Sequence, residues 1–202
     1  MNEATLLEIL RTNTELQRIL QSDFDFRPLA VPLGTKSGLF QFSDGTHYEL
    51  VGSDASGGEF ALCDQRNLPA RPLLYASSEG GAGIIARSLE SGLAIIIDLP
   101  SWQDCLHFSG KGQLAEMRRV APLSESDVLE AKPQMISRRE TLRKYLGVAP
   151  AHDAIQELHS SLTELSPLYP VYGTDPDHLA FGTLFGKFTV MSNAAWRRRL
   201  TS

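Results

Sequence analysis

The chain has 202 residues, with 19 Lys+Arg against 24 Asp+Glu, a formal net charge of -5 and 42% hydrophobic residues. That length can bury one proper core without disulfide or metal staples. With a mean hydropathy of -0.15, the composition excludes disordered and collagen-like classes, and the acidic balance argues against a general nucleic-acid binder.

Two cysteines, Cys63 and Cys105, have no CxxC pairing and suit a reducing compartment. The start, Met1-Asn2-Glu3-Ala4-Thr5, carries no basic segment ahead of an apolar core, so no secretory signal is expected. The longest apolar stretch, Leu93 to Ile97, is too short to cross a bilayer. A cytoplasmic protein without a membrane partner is the expectation. Charge is uneven: residues 1–131 hold 18 acidic and 10 basic side chains, and residues 132–202 hold 6 acidic and 9 basic.

The spacing of Leu6, Ile9, Leu10, Leu16, Ile19 and Leu20 predicts an amphipathic helix over 5–21, broken near Thr12-Asn13-Thr14. A turn region with Pro28, Pro32 and Gly34 follows. Runs at 38–42, 47–51, 59–63 and 72–76 have strand character. Asp44-Gly45 between the first two is a hairpin signal, and 53–58 reads as another turn. The expectation is an antiparallel meander of about four strands. After Ser77-Ser78-Glu79-Gly80-Gly81, apolar residues at Ile85, Leu89, Leu93 and Ile96 predict a helix running to about Asp98 and closed by Pro100. The competing reading makes 93–99 a strand, since Ile95-Ile96-Ile97 is β-prone; the helix is favoured.

Trp102, Cys105, Leu106 and Phe108 suit a short second helix packed on the sheet. Beyond Gly112 the pattern predicts helices over 113–120, 125–146 with Pro133 interrupting, and 152–165, with Gly147 as a C-cap. Strands are expected at 169–172 and 179–185 around the 173–177 turn. The end, Ala195 to Leu200, reads as a short basic helix or frayed tail. The fold class is therefore α+β: an antiparallel sheet of four to six strands with packed helices. Residues 38–110 form its sheet-plus-helix core and 111–202 a mostly helical extension, a subdomain at most.

Candidate chemistry is sparse. Tyr75 to Gly83 reads as a strand passing through glycines into a helix, a junction that can bind phosphate. It matches neither GxGxxG nor the P-loop, and Glu79 already places a negative charge at that helix start, so Ser77, Ser78 and Glu79 read better as capping groups. Cys105 with His107, or Cys63 with His47, could form a thiol–imidazole pair, but a buried inert cysteine is the commoner outcome. His47, His107, His152, His159 and His178 show no metal-ligand spacing, and Asp175 and Asp177 suit a turn. No catalytic, cofactor-binding or metal-binding residue is assigned, and no cofactor. Arg197-Arg198-Arg199 reads as a solvated terminus rather than a nucleic-acid contact. What remains is an acidic surface: Asp44, Glu49, Asp54 and Glu59, with Asp64 and Glu79, fall around turns and strand ends, where exposed carboxylates can attract a basic protein.

Residues 38–110 also resemble the SUKH superfamily, which includes a yeast cell-wall assembly regulator and many bacterial immunity proteins. The likeness rests on the Gly52 to Phe60 turn, the Ser77 to Gly83 segment after a strand, and a helix leading to Leu99-Pro100-Ser101-Trp102-Gln103-Asp104-Cys105-Leu106. The resemblance implies a non-catalytic protein-binding domain that masks a toxin domain, often a basic nuclease, through steric and electrostatic occlusion. A small-molecule or enzymatic domain using the Gly80–Gly83 helix start is the alternative. A third reading is a scaffold whose basic C-terminal extension docks a partner.

Overall fold

The computed structural model describes residues 2–32, 34–175, 177 and 179–201. His178 therefore lies outside the described residues. The chain opens with α1 (Glu3–Thr12) and α2 (Thr14–Asp23). One residue separates them by serving both ends. Asn13 is the C-cap of α1, and its side chain accepts the Leu16 N–H of α2 at 3.0 Å, which satisfies an amide that a helix start leaves without a partner. The break expected at Thr12-Asn13-Thr14 is thus a cap.

The main sheet is antiparallel, in the order β1 (Arg27–Pro28), β3 (Tyr48–Ser53), β4 (Glu59–Cys63), β5 (Leu73–Ala76), β6 (Ala82–Ala86). A second, two-stranded sheet pairs β2 (Phe40–Phe42) with β7 (Val171–Gly173). The expected meander exists, but its members differ from the prediction. The 38–42 run leaves the main sheet to pair with a strand some 130 residues away, and the fourth strand of the meander is β6. The four-residue spacing of Ile85 with Leu89 and Leu93 predicts a helix for that segment instead. The helix, α3 (Leu89–Asp98), begins only at Ser88, where Ser88 and Ser91 exchange hydrogen bonds in a capping box. There is accordingly no helix start at Gly80–Gly83. Residues 77–81 are the turn of the β5–β6 hairpin, with Ser77 N–H donating to the Gly81 carbonyl at 2.7 Å.

Both faces of the sheet are covered, and successive residues alternate between two cores as a strand requires. Phe60, Leu62, Leu73, Tyr75 and Ile85 join a helical layer drawn from α1, α2, α3 and α4 (Trp102–His107). Ala61, Cys63, Leu74, Ala76 and Ile84 meet Phe40, Phe42, Leu165, Tyr169 and Val171 on the opposite side. The helical layer also contains Met117 and Val120 of α5 (Leu114–Ala131) and Leu142 and Leu146 of α6 (Met135–Leu146). The C-terminal extension therefore shares one core with residues 38–110.

Two further expectations are adjusted. Helix α5 runs unbroken through Pro122, because Met117, Val120, Ala121 and Ser124 are held in the core on either side. The interruption falls at Pro133 as expected, and Gly147 adopts the left-handed conformation (φ 60°) that closes α6. After α7 (Ala154–Ser160) the chain makes a π-helical turn over Ser161–Leu165 and a 3-10 turn over Ser166–Leu168. The 179–185 run is no strand. It bridges once to β7 through Ala180 and Tyr172, then continues to Phe188 as an extended strap. The strap bonds backbone-to-backbone to Gly80, Ala82, Leu106, Gly110 and Lys111. The closing helix α8 (Ala194–Thr201) is pinned, since Trp196 is buried and its indole N–H donates to Asp127 at 2.7 Å.

At Gly186 the strap passes so close to α4 that an added Cβ would lie 2.1 Å from the His107 carbonyl oxygen, whereas at Gly182 the nearest atom would be 3.8 Å away. Gly186→Ala is expected to cost about 2 kcal/mol or more by forcing the backbone apart, and Gly182→Ala less than about 0.5 kcal/mol. Equilibrium urea unfolding of the two variants checks this; equal effects would refute the strap geometry.

Candidate functional site

The three segments that carry the family resemblance meet around one cleft of about 480 Å³. Its walls come from the β3–β4 turn (Ser56), the end of β5 and its hairpin turn (Tyr75, Ser77, Glu79), helix α4 (Trp102 to His107) and the strap (Leu184).

Behind the cleft lies a buried carboxylate. Asp54 is 4% exposed. Its Oδ1 accepts Ser56 N–H at 2.9 Å, the Ser56 hydroxyl at 2.8 Å and Gly58 N–H at 2.7 Å. Its Oδ2 accepts the Tyr75 hydroxyl at 2.5 Å and a Gln103 amide hydrogen at 3.3 Å. An aspartate that folds its own turn in this way explains Ser53-Asp54-Ala55-Ser56-Gly57-Gly58 as a structural motif. Gly58 is required there, because a Cβ would sit 2.6 Å from the Tyr75 hydroxyl oxygen. Burial works to raise the Asp54 pKa, but the donors from Tyr75, Ser56 and Gly58 outweigh it and hold the pKa below the ordinary 3.8. Burial, reinforced by the neighbouring Asp54, pushes the Tyr75 hydroxyl up. Tyr75 stands edge-on to Trp102, with centroids 5.0 Å apart, and Phe60 packs against both rings.

The four acidic residues singled out as a recognition surface therefore divide. Asp54 and Glu49 are buried and not exposed on loops, contrary to expectation. Glu49 receives Arg11 at 2.5 Å and Arg71 at 2.9 Å, and Arg71 also reaches Glu3 at 2.7 Å. Burial raises its pKa, and the two guanidinium groups overcome that to leave it lowered. Alternation along β3 turns position 49 inward, a direction that charge alone did not reveal. Asp44 is exposed in the β2–β3 turn. It bonds Thr46 through the hydroxyl and the N–H, and pairs with Arg66 at 2.5 Å. The Thr46 hydrogen bonds bring its pKa down to about 2. Glu59, half-buried, accepts the Ser37 hydroxyl. The two carboxylates at the cleft are Glu79, from the original acidic set, and Asp104, which sequence reasoning did not select. Both are exposed. The cleft walls crowd Asp104 enough for desolvation to raise its pKa, with His107 opposing.

The other sequence candidates stay apart. Cys63 and Cys105 are buried and unpaired. Desolvation pushes the Cys63 thiol far up and the Cys105 thiol up to about 12, which withholds the thiolate needed for nucleophilic chemistry. Strand register sets Cys63 opposite Tyr48 rather than His47. Among the described residues no cluster of three metal-ligating side chains forms, and no helix is long and apolar enough to cross a membrane. Of the terminal arginines, Arg199 pairs with Asp127 at 2.5 Å. No family model, curated protein or solved structure matches the chain.

Tyr75→Phe removes one donor from Asp54 and is expected to cost about 1–3 kcal/mol. Urea unfolding measures it, and a neutral effect would show that the hydroxyl is dispensable. Folded-state pKa values lowered at Asp54 and Glu49 stabilise the chain fully above the ordinary carboxylate range, and that stability disappears as pH falls through the lowered values. Asp104 works in the opposite sense, since its cost at neutral pH is relieved on protonation. The urea midpoint is expected to fall between about pH 5 and pH 2, with a shallower fall in Glu49→Gln. A midpoint unchanged across that interval would contradict these assignments.

Proposed function

We propose that this chain is a non-catalytic protein-binding domain of immunity type, one that masks a basic toxin domain such as a nuclease. The observation that supports this most directly is the cleft itself. The Gly52–Phe60, Ser77–Gly83 and Trp102–Leu106 segments, separate in sequence, build one concave surface. Its lining residues include Glu79 and Asp104 but neither lysine nor arginine. The Asp54–Tyr75–Gln103 bonds brace it from behind. A braced surface binds with little ordering cost, and an acidic face on a chain of net charge -5 steers a basic partner into encounter. The alternative of a ligand held at a Gly80–Gly83 helix start loses its basis, because that segment is the end of a hairpin turn and the start of β6. Gly83 there serves packing: a Cβ would lie 2.5 Å from Leu162.

The test is binding to a purified basic nuclease domain encoded beside this chain's own reading frame. Titration calorimetry is expected to give a one-to-one complex in which cleavage of DNA or RNA stops. Association should slow as salt is raised from roughly 0.05 to 0.5 M, because screening weakens steering. Absence of a complex, or a complex in which the nuclease stays active, would overturn the proposal.

A further inference from the structure

Resting on that binding reading, we infer that the cleft is the receptor for a single arginine side chain of the partner, held between Asp104 and Glu79 with Phe108 as its apolar wall. The argument starts from the hydrogen bonds of Gln103. Ionised Asp54 can only accept, and the Tyr75 hydroxyl hydrogen is directed at Asp54, so the Tyr75 oxygen accepts in turn. Both neighbours therefore demand the amide nitrogen of Gln103, which lies 3.3 Å from Asp54 Oδ2 and 3.2 Å from the Tyr75 oxygen. The Gln103 Oε1 is left with no donor among the described residues. Neither the Asp104 nor the Glu79 carboxylate accepts a hydrogen bond or ion pair from a described residue. The cleft thus offers the acceptor oxygens of Gln103, Asp104 and Glu79, and among the described residues its lining holds neither lysine nor arginine.

A guanidinium supplies five N–H donors in a fixed plane, stays charged, and stacks on aromatic and apolar surface; an ammonium supplies a compact, strongly hydrated charge. The half-buried Phe108 ring lines the cleft. His107 stands against it with centroids 4.9 Å apart and is itself stacked on Phe188 at 4.9 Å. Lys187 lies over the Phe188 ring, outside the lining. A volume of about 480 Å³ accommodates one long side chain but no folded element. Desolvation raises the Asp104 pKa, and a cation placed beside it would favour the ionised carboxylate.

The probes are the tripeptides acetyl-Gly-Arg-Gly-amide, acetyl-Gly-Lys-Gly-amide and the citrulline analogue, which keeps the arginine shape without its charge. Each is titrated into the full chain and followed by amide NMR. The arginine peptide is expected to saturate shifts at residues 77–79, 103–108 and the Gln103 side-chain amide. The lysine peptide should bind several-fold more weakly, and citrulline should leave those signals in place. The Asp104→Asn/Glu79→Gln double variant, altered only at exposed positions, should fold normally and lose arginine binding about tenfold or more. Equal shifts with citrulline, shifts spread over other acidic surfaces, or unchanged affinity in the variant would each overturn the inference. A toxin domain captured with an unchanged dissociation rate by the double variant would overturn it too, while leaving the masking function intact. Saturation at the cleft by the arginine peptide, with no toxin domain bound, would uphold the receptor and defeat the masking function.

Discussion

One buried carboxylate ties together the parts of this molecule that face its cleft. Asp54 closes its own turn through Ser56 and Gly58, takes the hydroxyl of Tyr75 from β5, and reaches Gln103 on α4. A charge at 4% exposure is tolerable only because five donors surround it. The need runs both ways. The carboxylate holds the turn together, and the turn, the strand and the helix supply the donors that offset its burial.

The second constraint is the sheet's burial on both sides. Strands β4 and β5 read as short, nearly continuous apolar runs because each residue has a core to enter: helices on one side, the β2–β7 pair with the 161–169 segment on the other. The C-terminal third contributes to both layers. Its place in the fold is therefore that of a covering element, consistent with its residues sharing hydrophobic clusters with the N-terminal part.

Much of this was legible in the sequence where local signals act alone. The Asn13 break, the helix over Ile95-Ile96-Ile97, the short helix at Trp102 and the Gly147 cap follow from capping chemistry and periodicity. The failures fall where a nonlocal partner decides. Ala82–Ala86 became a strand because β5 pairs with it, despite a spacing at Ile85 that matched the following helix. Phe40–Phe42 found a partner beyond residue 170, which no neighbouring residue announces. Pro122 sits within α5 because the core grips the helix on both sides. The cleft was partly legible: the sequence marks Glu79, the Trp102 segment and the turn around Asp54. Whether Glu49, Asp54 and Asp104 face inward or outward depends on strand register and helix placement, and composition carries no such direction.

The borders of the main sheet narrow how any partner can engage it. At one border, β1 is two residues long and ends in Pro28, which has no N–H to offer. At the other, the Ala82 N–H of β6 is taken by the Gly182 carbonyl and the Ile84 N–H by the Ser166 hydroxyl. Neither border is open to an incoming strand, which guards against edge-to-edge aggregation and closes off recognition by β-augmentation. A complex formed at the main sheet is therefore made through side chains and loops.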